Sequence, residues 1–222
     1  MKKKEYTVII GDLIASKKIK NRQEVQEKFQ ETLLRINRDY QSSIASKFTI
    51  SLGDEFQALL LDKKSVIQII LAIEAAMYPV QVRFGIGIGQ INTNIDYENS
   101  VLIDGPAYHR ARAMMLELEK TEQQYEQREA NILVSSAEQP TREDRLLNAS
   151  LSLATVIKNQ WTTRQAEIIQ AYRLNDQNQY KTAEKLGIGQ SSVSKALKAA
   201  NFISYQSALN EIEFFLSGKG ED

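Results

Sequence analysis

The spacing of hydrophobic residues in the first half of the chain alternates between that of strands and that of helices. Residues 6–13 are rich in β-branched and apolar side chains, which is typical of a buried strand. From residue 25 to residue 40, apolar side chains recur at steps of three and four, which predicts an amphipathic helix. Alternating runs on both sides of Gly53 and Asp54 predict a β-hairpin over residues 48–60.

Further alternation continues the same pattern up to residue 135. Residues 65–78 are strongly apolar and predict a helix that ends at Pro79, and residues 80–88 alternate as a strand does. A long helix from Pro106 to about Arg128 and a strand at 131–135 follow. The order β-α-β-β-α-β, followed by α-β, predicts an α+β fold of the split βαβ, or ferredoxin-like, type with one added unit.

Beyond this point the sequence shows no strand pattern, and an all-helical region is predicted. Thr141 is followed by acidic residues of the kind that open a helix. We therefore predict two domains, residues 1–139 and 140–222. The apolar helix predicted at 207–216 either closes the second domain or forms the seam of a dimer.

Residues 162–200 carry the spacing of a helix-turn-helix. Ala183 supplies the small residue that a close helix crossing needs, and Gly187 suits a turn with positive φ four positions later. Val193, six positions further on, supplies the aliphatic residue that fills the core. A plain three-helix bundle with a glycine in its turn is the alternative.

The third helix of this unit, predicted from Gln190 to Ala200, is the candidate recognition helix and offers polar and cationic side chains to a partner. Such side chains read base edges or hold phosphates, and a helix N-terminus attracts phosphate. The alternative is a protein contact, because Lys/Arg and Asp/Glu balance over residues 161–222. The candidate DNA-binding residues are Gln190, Ser191, Ser192, Ser194, Lys195 and Lys198.

Composition narrows the classes of function. Lys+Arg and Asp+Glu number 28 each, so nucleic-acid binding requires a local basic patch. The absence of cysteine excludes disulfides and thiolate zinc sites and fits a cytoplasmic location. No stretch approaches the roughly 20 apolar residues of a membrane span. With His109 as the only histidine, a bound metal would be a hard ion held by carboxylates.

Carboxylates stand at two predicted strand ends. Asp12 ends the first strand, and Asp54 with Glu55 lies in the hairpin turn. These strands are neighbours in a split βαβ sheet, so the carboxylates can converge on Mg²⁺ or Mn²⁺ and leave positions for phosphates. The alternative is structural, because Gly-Asp is common in hairpins and Asp often ends a strand.

Two further features point toward a ligand. Gly85, Gly87 and Gly89 leave one face of a strand bare, where either a nucleotide or a packed helix can approach the backbone. His109, Arg110 and Arg112 cluster on the helix that follows, where arginine can clamp phosphates. A solvated basic helix face is the alternative for each arginine.

The segments VIIGDLIASK, SLGDEFQALL, RFGIGIGQI and DGPAYHRARAM, with the helix-turn-helix, resemble the SatD family of bacterial proteins along the whole chain. That family has been linked to secretion and acid tolerance in streptococci. The resemblance implies a cytoplasmic protein of the Firmicute type and supplies no mechanism.

Residues 5–135 are also similar, more distantly, to class III nucleotide cyclases and diguanylate cyclases, which have palm-type domains. The resemblance implies that Asp12 and Asp54 bind metal ions and that Gly53, Gly85 and Gly87 approach a nucleotide. Because those enzymes usually build their site across a dimer, it also implies a homodimer.

This sequence departs from the cyclase pattern at the helix that holds the ribose. His109 and Ala113 stand where cyclases have Asn and Arg, although Arg110 or Arg112 can substitute in a shifted register. Leu52 stands where diguanylate cyclases have a second glycine. Because positioning and electrostatic stabilisation dominate phosphoryl-transfer catalysis, these changes favour nucleotide binding over turnover.

Three functions follow from these patterns. The first is a regulator that binds a metal-nucleotide or related ligand through the cyclase-like domain and DNA through the helix-turn-helix. The second is a divergent nucleotide cyclase or other nucleotidyl-transfer enzyme, with the helical domain as a targeting module. The third is a scaffold for protein contacts.

Overall fold

The computed structural model describes residues 4–14, 21–125 and 130–218 of the chain. The first part contains strands β1 (Tyr6–Leu13), β2 (Ile44–Leu52), β3 (Glu55–Leu60), β4 (Val82–Gly89) and β5 (Ile132–Ser135), and helices α1 (Arg22–Asp39), α2 (Val66–Met77) and α3 (Pro106–Tyr125). Their order confirms the prediction from the hydrophobic pattern. The predicted end of α3 near Arg128 lies outside the described residues.

The five strands form one mixed sheet in the order β2-β3-β1-β4-β5. Strand β1 pairs antiparallel with both β3 and β4, and β5 runs parallel to β4 at the edge. The first four strands therefore have the ferredoxin-like arrangement, with β5 as the added unit.

The two faces of the sheet are covered by different helices, because side chains alternate along each strand. Ile9 of β1 belongs to the hydrophobic cluster that includes Phe29 of α1 and Ile70 of α2. Val8 and Ile10 point to the opposite face and cluster with residues of α3. The fold is thus a sheet with α1 and α2 on one side and α3 on the other.

The regular elements of the described chain after β5 are all helices, as predicted. They are α4 (Arg142–Asn159), α5 (Thr163–Leu174), α6 (Gln179–Leu186), α7 (Gln190–Ala199) and α8 (Phe202–Ser217). Capping boxes open two of them: Thr141 with Asp144 for α4, and Thr162 with Gln165 for α5. The last helix begins at Phe202, earlier than predicted, because Asn201 takes a left-handed conformation with φ of 50° directly after α7.

One hydrophobic cluster runs from the α1–α2 face of the sheet into the helical region. Helix α4 packs on β5, and α8 packs on both α2 and α4. The two parts therefore share a core, while the division between residues 139 and 140 stays a prediction. None of the helices in the described part of the chain has the length and apolar character of a membrane span.

Candidate functional site

A row of three charged side chains crosses the end of the sheet on the α3 side. Asp12 of β1 lies directly opposite Glu55 of β3 and, on its other side, opposite Arg83 of β4. Asp54 lies in the hairpin turn directly before Glu55, the first residue of β3, so the two predicted aspartates stand at the same end of the sheet. Arg83, which the sequence analysis did not single out, stands at one end of this row, next to Asp12.

Arg83 binds Asp12 through both ends of its guanidinium. Its Nε donates to Asp12 Oδ1 at 2.6 Å, and its Nη2 donates to Asp12 Oδ2 at 2.8 Å. Each side chain keeps only 16% of its surface exposed. Arg83 also binds Glu119 at 3.1 Å and Glu122 at 3.3 Å, both on α3. One arginine therefore serves three carboxylates.

The protonation of Arg83 follows from these partners. Burial by itself lowers the pKa of the guanidinium, but the hydrogen bond to Asp12 and the charges of Asp12, Glu119 and Glu122 raise it overall. Arg83 is thus a permanent cation, and it holds the carboxylate predicted to bind a metal.

The residues present do not fit a metal ion in this arrangement. Both oxygens of Asp12 accept hydrogen bonds from Arg83, and Glu55 Oε1 accepts one from Ser51 Oγ at 2.8 Å. In residues 4–14, 21–125 and 130–218, no three His, Asp or Glu side chains are grouped so as to hold a metal. The Mg²⁺ or Mn²⁺ predicted at Asp12, Asp54 and Glu55 therefore has no formed ligand set here.

The bare face of β4 is filled by helix α3. A Cβ built on Gly85 would collide with the carbonyl oxygen of Ala111, and one on Gly87 would collide with that of Ala107. Of the two alternatives for this strand, the structure has the packed helix. Gly85 and Gly87, predicted to approach a nucleotide, lie against α3 and leave no room on that face for one.

The other predicted nucleotide contacts lie at separate places. His109 Nε2 is 3.0 Å from Asp104 Oδ1, and Arg112, which lies on α3 with His109, is exposed. Arg110 is half-buried, and its Nη1 donates to the backbone carbonyl of Ile88. Gly53 is exposed in the hairpin turn, with a φ of +63°. Arg110 is thus a structural residue in this arrangement.

Within one chain, the residues predicted to bind the metal and those predicted to bind the nucleotide from α3 lie at opposite ends of β4. Arg83 and Asp12 lie at the start of β4, whereas Arg110 packs on Gly89 at its end. Six residues of a strand span about 20 Å. A pocket of about 200 Å³ beside the start of α3 is lined by Asn92, Pro106, His109, Arg110 and Glu138, none of them from the Asp12 row.

The C-terminal region contains the turn geometry predicted for a helix-turn-helix. Gly187 ends α6 in the left-handed conformation with φ of 64°, and Ile188 N donates to the carbonyl of Ala183. Ala183 and Val193 are both buried between the helices. Asn178 caps α6 by accepting from two backbone N–H groups. The three residues that carried the prediction have the conformations and burial it required.

The outer face of α7 is exposed and polar. Gln190 is half-buried, and its Nε2 donates to Gln179 Oε1 at 2.7 Å. The other five candidates are exposed, and their side chains have no hydrogen-bonding partner among the described residues: Ser191, Ser192, Ser194, Lys195 and Lys198. The hydroxyl and ammonium groups of this face are therefore available to bind a partner.

Arg83 could have been suspected from the sequence only in part. It opens the segment RFGIGIG, and an arginine at the start of a buried strand calls for a counter-ion. Which residue is that counter-ion depends on how β1 and β4 align in the sheet, and this alignment cannot be read from the sequence of either strand alone.

Comparison with known proteins identifies a family and a distant resemblance of fold. The profile of the SatD family matches residues 6–211. Among proteins with curated descriptions, none matches this sequence significantly.

Several solved structures of cyclases are distantly similar. A bacterial light-regulated adenylyl cyclase is 16% identical with a TM-score of 0.40, over 71% of this chain and 81% of that chain. The adenylyl cyclase CyaB from P. aeruginosa is 15% identical with a TM-score of 0.42, over 64% and 79%. In another structure of a light-regulated adenylyl cyclase, the alignment covers 43% of the cyclase chain.

A match of different type covers almost the whole chain. The regulator of polyketide synthase expression from Bifidobacterium adolescentis is 14% identical with a TM-score of 0.28, over 96% of this chain and 84% of that chain.

Proposed function

This chain belongs to the SatD family, and we propose that it is a cytoplasmic DNA-binding regulator. In this proposal α7 contacts DNA, and the α+β part binds a nucleotide or related anionic ligand. A homodimer would present two copies of α7 to two half-sites of a duplex.

The exposed face of α7 is the observation that carries the proposal. Between Glu184 and Glu211 the sequence contains no Asp or Glu but three lysines: Lys185, Lys195 and Lys198. All three are exposed. Lys195 and Lys198 lie on α7 and Lys185 on α6, so this segment has a net positive charge in a chain that is neutral as a whole, and the serines of α7 can donate to phosphates.

The ligand half of the proposal rests on the start of α3. His109 and Arg112 are exposed there, and His109 lines the pocket of about 200 Å³. The distance along β4 keeps this pocket apart from Asp12 within one chain. In a homodimer, the pocket of one copy could lie beside Asp12 of the other copy. The homodimer belongs to the proposal for this reason.

The geometry at Asp12 makes the enzyme alternative the weaker one. A nucleotidyl-transfer reaction of the cyclase type relies on metal ions at Asp12 and Asp54, and Arg83 holds the first of these. The scaffold alternative does not explain an exposed helix face with cations and without carboxylates. DNA binding accounts for that face directly.

The DNA-binding half is tested by removing two charges from α7. Binding of a mixed-sequence duplex is measured by fluorescence anisotropy between about 50 and 200 mM salt. We expect Lys195→Ala with Lys198→Ala to weaken binding and to lower the slope of log K against log salt by about 2 for each chain that contacts the duplex.

The control removes the same charge from a distant surface. Arg35 and Lys120 are exposed in the α+β part, and Arg35→Ala with Lys120→Ala should leave the slope unchanged. An equal loss in both double variants, or no loss in either, would show that α7 is not the DNA-binding surface.

The ligand half is tested by thermal shift with nucleoside triphosphates in EDTA, Mg²⁺ or Mn²⁺. A rise in melting temperature that His109→Ala with Arg112→Ala removes, and Lys120→Ala does not, supports the pocket at α3. A rise that requires the metal and is lost in Asp54→Asn would restore the metal site. No rise with any nucleotide rejects this half and leaves the DNA result unaffected.

A further inference from the structure

A second pocket lies where the sheet meets the helix-turn-helix. It has a volume of about 280 Å³ and is bounded by the end of α2, the start of β4, the end of α4 and the inner side of α5. Val82, Ala166 and Ile169 contribute apolar walls. Its size lies just below the range of typical ligand pockets, so it suits a small molecule.

The charges around this pocket leave one cation without an opposing carboxylate. Glu74 and Lys158 both line it and bind each other, with Oε1 and Nζ 2.5 Å apart, so their charges cancel. Arg173 also lines it; its Nη2 donates to Gln206 Oε1 at 3.5 Å, and no ion pair with a carboxylate is formed by it among the described residues. Its guanidinium lies 5.5 Å from the ring centre of Phe202 and 5.3 Å from that of Tyr205.

We propose that this pocket binds a small organic carboxylate with an apolar body. The carboxylate would pair with the guanidinium of Arg173, which is fixed in place by the two rings beneath it. The apolar body would lie against Val82, Ala166 and Ile169. An arginine on an apolar wall is the arrangement that selects such an amphipathic anion over a neutral molecule.

The same pocket is connected to the DNA-facing helix. Trp161 lines the pocket, and its Nε1 donates to the backbone carbonyl of Ala200 at the end of α7, at 2.8 Å. Its ring contacts those of Phe202 and Tyr205, with centres 6.3 and 5.0 Å away. A ligand that moves Trp161 therefore acts on the end of α7. This regulatory step rests on the proposed function, whereas the binding step does not.

Trp161 is the only tryptophan of the chain and reports directly on the pocket. The probe is phenylacetate, and phenylacetamide, which has the same shape without the charge, is its control. We expect phenylacetate to change the Trp161 fluorescence saturably. The amide, and phenylacetate with the variant Arg173→Gln, should bind at least tenfold more weakly.

Two further variants separate binding from folding. Arg164→Gln removes an exposed arginine from the same helix and should bind phenylacetate as the unmodified chain does. Ala166→Phe fills the pocket and keeps Arg173, so it should abolish binding while the circular dichroism spectrum is preserved. If Arg173→Gln does not fold, the Ala166→Phe variant decides.

The proposal is overturned if phenylacetate gives no saturable change, if the amide binds equally well, or if Ala166→Phe binds normally. These readouts contain no DNA, so they remain decisive if α7 does not bind DNA. Where DNA binding is established, a DNA affinity that phenylacetate leaves unchanged overturns the coupling through Trp161 alone.

Discussion

Asp12 and Arg83 face each other across β1 and β4 and are joined by two hydrogen bonds, of 2.6 and 2.8 Å. The pair stands at the end of the sheet where a metal site was predicted. It gives the half-buried carboxylate of Asp12 a cationic partner. It also ties the sheet to α3, because Arg83 reaches Glu119 and Glu122 as well.

Removing the cation from this group should be costly. In Arg83→Gln, Asp12 loses its partner, and the carboxylates of Glu119 and Glu122 lose their shared cation. We expect a loss of about 3 kcal/mol in the free energy of unfolding, measured by urea denaturation. Arg38→Gln breaks the exposed pair with Asp39 and should cost less than about 0.5 kcal/mol.

The double variant isolates the interaction itself. Asp12→Asn with Arg83→Gln removes both charges together, so it should lose less stability than the sum of the two single variants. Strict additivity in this cycle would mean that the two side chains do not stabilise each other.

The close packing of α3 on the glycines of β4 predicts that a side chain added there destabilises the fold. Gly87→Ala puts a methyl group into the backbone of α3 at Ala107, and we expect a loss of about 3 kcal/mol or more. Gly53→Ala lies in open space, and its left-handed φ of +63° should cost only about 1 kcal/mol. Equal losses in urea denaturation would contradict the close packing of α3 on β4.

Tyr108 carries a hydroxyl whose loss should not harm the fold. It belongs to α3 and is buried, and within the described residues its oxygen has no hydrogen-bond partner. Tyr108→Phe should therefore raise the free energy of unfolding by about 1 kcal/mol. Tyr205→Phe should lower it, since that hydroxyl hydrogen-bonds Arg173. A large loss in Tyr108→Phe would reveal a partner for the oxygen.

The same two tyrosines contribute to the change of the protein's stability at alkaline pH. Burial, followed by the charge of Asp104, raises the pKa of Tyr108, and burial, followed by the charge of Glu74, raises that of Tyr205. Above about pH 10 the unfolded chain loses these protons while the folded chain keeps them. Their stabilising effect is complete below pH 10 and declines as the pH rises toward the folded-state pKa values.

We therefore expect the free energy of unfolding to fall above about pH 10, by up to about 1.4 kcal/mol per pH unit for each tyrosine. Tyr108→Phe should remove its share of that slope in urea denaturation at successive pH values. A slope that does not change in this variant would exclude Tyr108 as a source.

The order of elements was predictable because it depends on local spacing. The alternation along β4, the caps at Thr141 and Thr162 and the turn at Gly187 each lie within a short segment. The pairing of Asp12 with Arg83 was not predictable, because it depends on how two distant strands align. The early start of α8 was missed because Asn201 changes the chain direction without a glycine or proline.

Helix α8 has a consequence for synthesis of the protein on the ribosome. Its buried residues, among them Leu209 and Ile212, join the cluster that covers α2, and Gln68 of α2 binds Glu213 at 2.7 Å. Helix α2 is complete 136 residues before Glu213 (213 − 77 = 136). During that interval the apolar surface of α2 that α8 later covers is exposed, and such exposed surface favours aggregation of the nascent chain until α8 has been synthesised.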